Sequence, residues 1–251
     1  MTEPLISALD VHVSFGQTPA LQGASVSVSS GEFLAIMGPS GSGKSTLLHC
    51  LAGIFPPDSG EVRYDGRRLD TLPDSARTRL RRTDFGFVFQ FGQLIPELTA
   101  LDNIAMPLLL GGTRRRAAYR QARSWLPRLE LDGLGGRRTG ELSGGQAQRV
   151  AIARALAGRP KVVFADEPTG ALDTLAGERV MNLLTDTARE EGVTVVLVTH
   201  DARIAAYADR DVLVRDGLVI DRAGAARAQA DRSQADRSQA DRSQTMAGVS
   251  R

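Results

Sequence analysis

"EFLAIMGPSGSGKSTLLHCLAG", Glu32 to Gly53, changes texture twice within 22 residues. Its first part is a continuous apolar run without alternation, the pattern of a strand covered on both faces. Its middle, Gly38-Pro39-Ser40-Gly41-Ser42-Gly43-Lys44-Ser45, satisfies G-x-x-x-x-G-K-[ST]. Its last part has the apolar spacing of a helix. Glycines let successive backbone N–H groups turn toward one centre, and the helix start adds positive potential. Lys44 is then placed to reach the β and γ phosphates of a nucleotide, and Ser45 to offer its hydroxyl to Mg²⁺. Thr46 follows on the same helix start and joins the cofactor-binding set. The order strand, glycine loop, helix predicts an α/β fold with a parallel sheet.

Upstream, "ALDVHVSF" sets Leu9, Val11, Val13 and Phe15 against polar neighbours, and "ASVSVSS" alternates Ala24, Val26 and Val28 with serines. Both predict half-buried strands with one wet face. "VRYDGRRL" and "DVLVRDGLVI" carry hairpin turns at Asp65-Gly66 and Asp216-Gly217. Three further β-rich runs each end in a polar residue: "FGFVFQ" at Gln90, "KVVFADE" at Asp166 and Glu167, "VTVVLVTH" at His200. Ligands of parallel α/β sheets gather at the carboxyl ends of the strands, so these ends predict one site beside the phosphates. Asp166 suits the Mg²⁺ shell, Glu167 can take a proton from an attacking water, His200 can donate to the γ-phosphate, and Gln90 can hold a metal-bound water. His12 and His49 are expected to be structural.

Between Phe91 and Gly140 long periodic stretches predict a helical insert between core strands. Arg114, Arg115, Arg116, Arg120 and Arg123 form either a solvated helix face or a lipid-facing one. Of the 31 cationic residues only Lys44 and Lys161 are lysines. The net charge of +2 gives no argument for nucleic acid, and none is expected as a partner. Cys50 is the single cysteine, which excludes an intrachain disulfide, and it is expected to be buried on a helix. "MTEPLISALD" has no apolar core of a signal peptide, and no apolar run approaches the ~20 residues a spanning helix needs. Any work at a membrane is therefore expected to go through another chain. From about Ala223 the sequence loses its apolar periodicity, and "ADRSQ" recurs at 230, 235 and 240, so a disordered tail is expected.

"LSGGQAQRVAIARAL", Leu142 to Leu156, adds a second entrance to a helix, with Ser143 as N-cap and Gly144-Gly145 after it. Such an end offers backbone N–H groups and a dipole to an anion. The triphosphate already has its own loop at Gly38 to Ser45. A second donor site makes sense if it closes on the exposed side of a γ-phosphate held by another copy of the chain.

With these motifs in order, the sequence over roughly residues 5 to 222 resembles the ATP-binding subunits of ABC transporters. "GPSGSGKS" is similar to that family's Walker A, "LSGGQ" to its signature, "VVFADE" to its Walker B with catalytic Glu, and "GALD" (Gly170 to Asp173) to its D-loop. Gln90 takes the place of its Q-loop glutamine and His200 of its switch histidine. Phe15 stands where the family stacks an aromatic on adenine and more often has Tyr; Ala147 stands where Gln is usual. The resemblance implies an α/β fold, a P-loop NTPase core of ABC ATPase type with an N-terminal antiparallel β subdomain and an inserted α-helical subdomain. It implies a nucleotide-binding domain over 1–222 with the insert at about 91–150, and the tail at 223–251.

It further implies ATP and Mg²⁺ as cofactors, with Lys44, Glu167 and His200 catalytic and Ser45, Gln90 and Asp166 at the metal. A head-to-tail homodimer would place Ser143, Gly144, Gly145 and Gln146 of one copy on the nucleotide of the other, with Asp173 crossing between them. The protein would be a cytoplasmic-side motor driving a separate permease. "FQFGQLIPELTALDNIAMPL" and "DEPTGALD" resemble the lipoprotein-release, macrolide-export and cell-division branch. The segment after Gln90 lies where the family receives a helix of the membrane subunit; Leu94, Ile95, Leu98, Leu101 and Ile104 either line that groove or are buried in the insert. A soluble ABC ATPase acting on nucleic acid or ribosome, and a cell-envelope mechanotransmission ATPase, are the alternatives. Two cassettes in one chain or a long coiled-coil insert would mark the soluble class, and neither is present.

Overall fold

The computed structural model describes residues 3–90 and 92–221. The expectation made for residues 223–251 lies outside them.

Strands β1 (Ile6–Phe15), β2 (Thr18–Val28), β4 (Ser59–Tyr64) and β5 (Arg67–Arg68) form an antiparallel sheet in the order β2-β1-β4-β5. A second sheet runs β10-β9-β3-β8-β7-β6, from β3 (Phe33–Met37), β6 (Phe85–Phe89), β7 (Val162–Asp166), β8 (Thr194–Thr199), β9 (Arg210–Arg215) and β10 (Leu218–Ile220). All its neighbours are parallel except the β9–β10 hairpin. Asp65-Gly66 and Asp216-Gly217 turn with φ of 51°, 73°, 51° and 75°, the left-handed pairs a two-residue hairpin of this hand requires.

The alternation in β1 does not run through as the sequence suggests. Ile6, Ala8, Val11 and Val13 are buried, while Leu9 is 61% and Phe15 57% exposed. The pairing with β2 slips between Ala8 and Val11, where Asp10 takes φ 50°. This bulge inserts one residue and switches the inward face from even to odd positions. Gly60 of β4 approaches so closely that a Cβ there would lie 2.2 Å from the Asp10 carbonyl oxygen.

The second sheet is covered on both sides, as the unbroken apolar runs predict. Leu34 and Ile36 of β3 pack with Val162, Phe164, Val196 and Val198 against the antiparallel sheet and helix α1 (Lys44–Leu51). Phe33 and Ala35 face the other way with Val163, Ala165, Val195 and Leu197. That opposite face is covered from the helical part: α3 (Ala100–Leu110), α4 (Arg115–Arg128), α5 (Gly144–Ala157) and α6 (Thr174–Glu191), with α2 (Asp74–Thr83) just before β6 and the short α7 (Ala202–Ala205) after β8. Thr99 and Asp102 close a reciprocal cap at the start of α3. Arg114, Arg115, Arg116, Arg120 and Arg123 are exposed. Among the described residues no helix is long and apolar enough to cross a membrane.

Candidate functional site

The glycine loop leaves β3 and enters α1 against two backbones from elsewhere. A Cβ on Gly38 (φ 149°) would meet the Val214 carbonyl oxygen of β9 at 2.2 Å, and one on Gly43 (φ 104°) the Ala20 carbonyl oxygen of β2 at 2.4 Å. The β9–β10 turn adds a hydrogen bond from Gly217 N–H to the Ser42 carbonyl, 3.1 Å. The loop is thereby fixed from behind, and Pro39, Ser40 and Gly41 are exposed in front. The first bond within α1 runs from Leu47 N–H to the Gly43 carbonyl, 2.9 Å, so the N–H groups of Lys44, Ser45 and Thr46 precede the helical ladder.

The side chains fit a phosphate group. Lys44 is 7% exposed, pairs with no carboxylate among the described residues, and donates to the Pro39 carbonyl at 2.8 Å. Ser42 Oγ is buried without a partner. Across the sheet, Ser45 Oγ donates to Asp166 Oδ1 at 3.2 Å, with β8 lying between the two parent strands. Burial pushes the Asp166 carboxyl above its usual value; the Ser45 hydroxyl, His49 and Lys44 pull it back, while Glu167 adds to the rise. A hydroxyl and a carboxylate are oxygen donors suited to a hard cation that completes its shell with phosphate and water. No cluster of three or more His, Cys, Asp or Glu among the described residues offers an all-protein cage.

Glu167 takes φ 47°, a left-handed value rare outside glycine, while its N–H remains tied to the Val198 carbonyl at 2.9 Å. This conformation costs about 1–3 kcal/mol, and the two neighbouring carboxylates engage different partners, Ser45 and His200. Glu167 Oε1 lies 2.8 Å from His200 Nδ1, and the two share a hydrogen bond at the ends of β7 and β8. Gln90 follows Phe89, which pairs with Asp166 across the β6–β7 ladder. Its amide lies against Gly170, where a Cβ would meet Nε2 at 2.8 Å, and no hydrogen bond joins it to Ser45 or Asp166. Phe15 presents an exposed ring, edge-on to Phe55 at 6.0 Å. His12 bonds Asp10, and His49 stands edge-on to Phe55 with its pKa lowered by burial against the opposing pull of Asp166.

Ser143 to Gln146 stand apart from this group. Ser143 Oγ accepts from Gln146 N–H at 3.3 Å, and Gln146 Oε1 accepts from Ser143 N–H at 2.9 Å, a complete capping box. Gly144 and Gly145 pack toward Leu172 and Ala176, at the head of α6, where Asp173 accepts from Ala176 N–H at 2.9 Å. Together they line a cavity of about 460 Å³ with Arg149 and Arg179. Among the described residues no hydrogen bond joins Ser143–Gln146 to Gly38–Thr46.

Two polar side chains of α5 escaped the sequence reading, which took the helix as apolar and alanine-rich. Gln148, 2% exposed, donates to the Phe89 carbonyl at 2.9 Å. Arg154 donates to the carbonyls of Gly92 (2.7 Å) and Gln93 (2.8 Å), both of which have a left-handed backbone, at φ 67° and 43°. Signature helix and post-Gln90 turn are thus bonded together. A polar residue standing inside a buried apolar run was the available signal.

A cavity of about 670 Å³ opens between β6, α2 and α3, away from the glycine loop. Its apolar walls come from Ile54, Phe87, Phe89, Met106, Pro107 and Leu110. None of the five residues proposed from sequence lines it: Leu94 and Ile104 are buried in the insert, Leu98 and Leu101 half-buried, and Ile95 exposed elsewhere. The periodicity of α3 is satisfied inward, and the groove is built from the helix's far end.

Comparison with known proteins agrees with this arrangement. Residues 21–170 match the family described as "ABC transporter". The chain is 44% identical over 221 residues to the lipoprotein-releasing system ATP-binding protein LolD of Hyphomonas neptunium, covering 86% of this chain and 97% of that protein. It is 44% identical over 218 residues to the macrolide export ATP-binding/permease protein MacB of Marinobacter nauticus, covering 85% of this chain and 34% of MacB. Among solved structures, an ATP-binding cassette determined as a dimer in a post-hydrolysis state with ADP and Pi is similar at TM-score 0.78 and 41% identity, covering 85% of this chain and 96% of that one.

Proposed function

The chain belongs to the ABC transporter family, and from that premise we propose that it is the motor subunit of a transporter of the lipoprotein-release and macrolide-export branch. It is an ATPase: two copies close head to tail on two ATP molecules, hydrolyse them, and by closing and reopening drive a separate permease. The observation that carries this reading is the division of the site. One chain holds the phosphate loop, Asp166, Glu167 and His200 at one sheet edge, while its Ser143–Gln146 helix start has no bond to that loop. Each copy supplies half of two composite sites.

Within a site, the N–H groups and Lys44 hold the β and γ phosphates, and Phe15 lies against the adenine. Ser45 and Asp166 would hold Mg²⁺, with Gln90 as a further residue for its shell. Mg²⁺ supplies neutralisation of phosphate charge. Glu167 accepts the proton of the attacking water, and its bond to His200 fixes where the carboxylate points. Ser143, Gly144, Gly145 and Gln146 of the other copy present N–H groups and the α5 dipole to the γ-phosphate, and Asp173 lies at the two-fold contact. The protein works at the cytoplasmic side of a membrane, held there by the permease, on lipophilic or peptide cargo chosen by that permease. MacB supports the division of labour, since a segment matching this chain makes up only a third of a protein that also carries the permease.

Glu167→Gln keeps the shape and removes the base. It is expected to retain ATP binding, lose turnover and accumulate as an ATP-bound dimer in sedimentation velocity; a variant that turns over normally, or stays monomeric with saturating ATP and Mg²⁺, would overturn the assignment.

A further inference from the structure

Glu130, just after α4, takes a left-handed backbone conformation, φ 53°, that glycine adopts freely and a glutamate adopts only under strain. Its Oε2 accepts from guanidiniums on two different helices, Arg149 Nη1 of α5 at 2.9 Å and Arg179 Nε of α6 at 2.6 Å. Arg149 stands one turn beyond Gly145 and Gln146, and Arg179 lies in the second turn of α6, whose N-cap is Asp173. Both guanidiniums line the cavity of about 460 Å³ shared by Ser143–Gln146 and Asp173. One carboxylate oxygen therefore joins the two helix starts assigned to the other copy's site.

An exposed ion pair contributes little, and the bond to Arg179, 63% exposed, would not by itself hold a helix in place. Arg149 differs: it is 13% exposed, its Nε is buried without a partner, and Glu130 is its one hydrogen-bond partner among the described residues. Burial lowers the Arg149 pKa, Glu130 opposes that, and the positive charge of Arg179 adds to it. With the carboxylate gone, a mostly buried guanidinium would face a second cation uncompensated, which drives α5 and α6 apart at these ends.

We propose that Glu130 is a positioning residue of the composite site: its carboxylate fixes the start of α5 against the head of α6, so that Ser143–Gln146 and Asp173 meet the other copy as one preset surface. This rests on the two-copy reading above and adds the residue that sets the geometry of the half each copy lends. Glu130 touches no nucleotide, so its effect belongs to association and turnover and not to the binding of ATP by a single chain. The same α4–α6 boundary is tied a second time, far from that surface, where Arg128 bonds Glu190 and Glu191 at the last turn of α6 at 3.1 and 2.6 Å.

That second tie supplies the control. The full chain is purified as wild type, Glu130→Gln, Glu130→Gly and Arg128→Gln. For each, binding of a fluorescent ATP analogue to dilute protein, the urea midpoint, and ATPase activity per chain against protein concentration are measured. Both Glu130 variants are expected to bind the analogue as wild type does, while the concentration giving half-maximal activity rises on the order of tenfold. Arg128→Gln is expected to keep the wild-type concentration dependence even where its urea midpoint falls. Glu130→Gly also relieves the backbone strain, so its loss of activity would not stem from a poorly folded turn. Wild-type concentration dependence in Glu130→Gly would overturn the role, as would an equal shift in Arg128→Gln or a matching loss of analogue binding. Wild-type activity per chain that is independent of concentration would strike the two-copy reading itself and remove the premise.

Discussion

Gly38, Gly41 and Gly43 look alike in the motif but answer to different constraints. Gly38 and Gly43 are pressed against carbonyl oxygens of Val214 and Ala20, whereas a Cβ on Gly41 (φ 77°) would meet nothing within 4 Å. Gly41→Ala should therefore cost only backbone strain, about 1 kcal/mol. Gly38→Ala adds a clash with a sheet backbone and should lose more, on the order of 3 kcal/mol in urea unfolding; equal losses at the two positions would contradict this account of the loop. Cys50 gives a second residue-scale test. Burial, reinforced by Asp58, pushes its thiol up to about 12, so the reactive thiolate is scarce near neutral pH. Native protein should react slowly with iodoacetamide and unfolded protein fast, and equal rates would show the thiol to be open to solvent. Its burial was legible from helical spacing alone. The pairing of Glu167 with His200 was not, because it depends on a left-handed backbone at a residue that is not glycine.

At the scale of elements, α5 carries two functions at one end. Ser143 caps the helix through its own box with Gln146, and the same N–H groups are assigned to the other copy's phosphate. Ser143→Asp separates them, since Asp caps as well as Ser while adding a negative charge where the γ-phosphate must dock. Stability should stay within about 0.5 kcal/mol while ATP turnover collapses; unchanged turnover would detach this helix from catalysis. Most elements were legible from period and punctuation: the wholly apolar strands, the Asp-Gly hairpins, the Ser143 cap. The β1 bulge was hidden because "SALDVHV" supports either inward face, and only the close approach of Gly60 to Asp10 decides between them. Of the two readings left open for the apolar residues after Gln90, burial in the insert holds for Leu94 and Ile104. Apolar spacing in α3 marks a buried stripe, and it cannot say which residues at the helix end are left facing an opening.

For the whole molecule, the antiparallel sheet and the β9–β10 hairpin brace the phosphate loop, while Gln148 and Arg154 tie the helical part to the end of β6. Among the described residues the Ser143–Gln146 helix start has no hydrogen bond to that loop. Sequence pattern made that division visible, since a second anion-ready helix start is redundant within one chain. It could not show the bonds from Arg154 of α5 to the turn after Gln90, which join residues 61 and 62 positions apart. The most direct measurement is specific ATPase activity against protein concentration at saturating ATP and Mg²⁺, in the purified chain without permease. If each site is completed by a second copy, activity per chain rises with concentration and levels off once dimers dominate. Activity per chain that is constant and high down to dilutions where sedimentation shows only monomer would contradict the shared site.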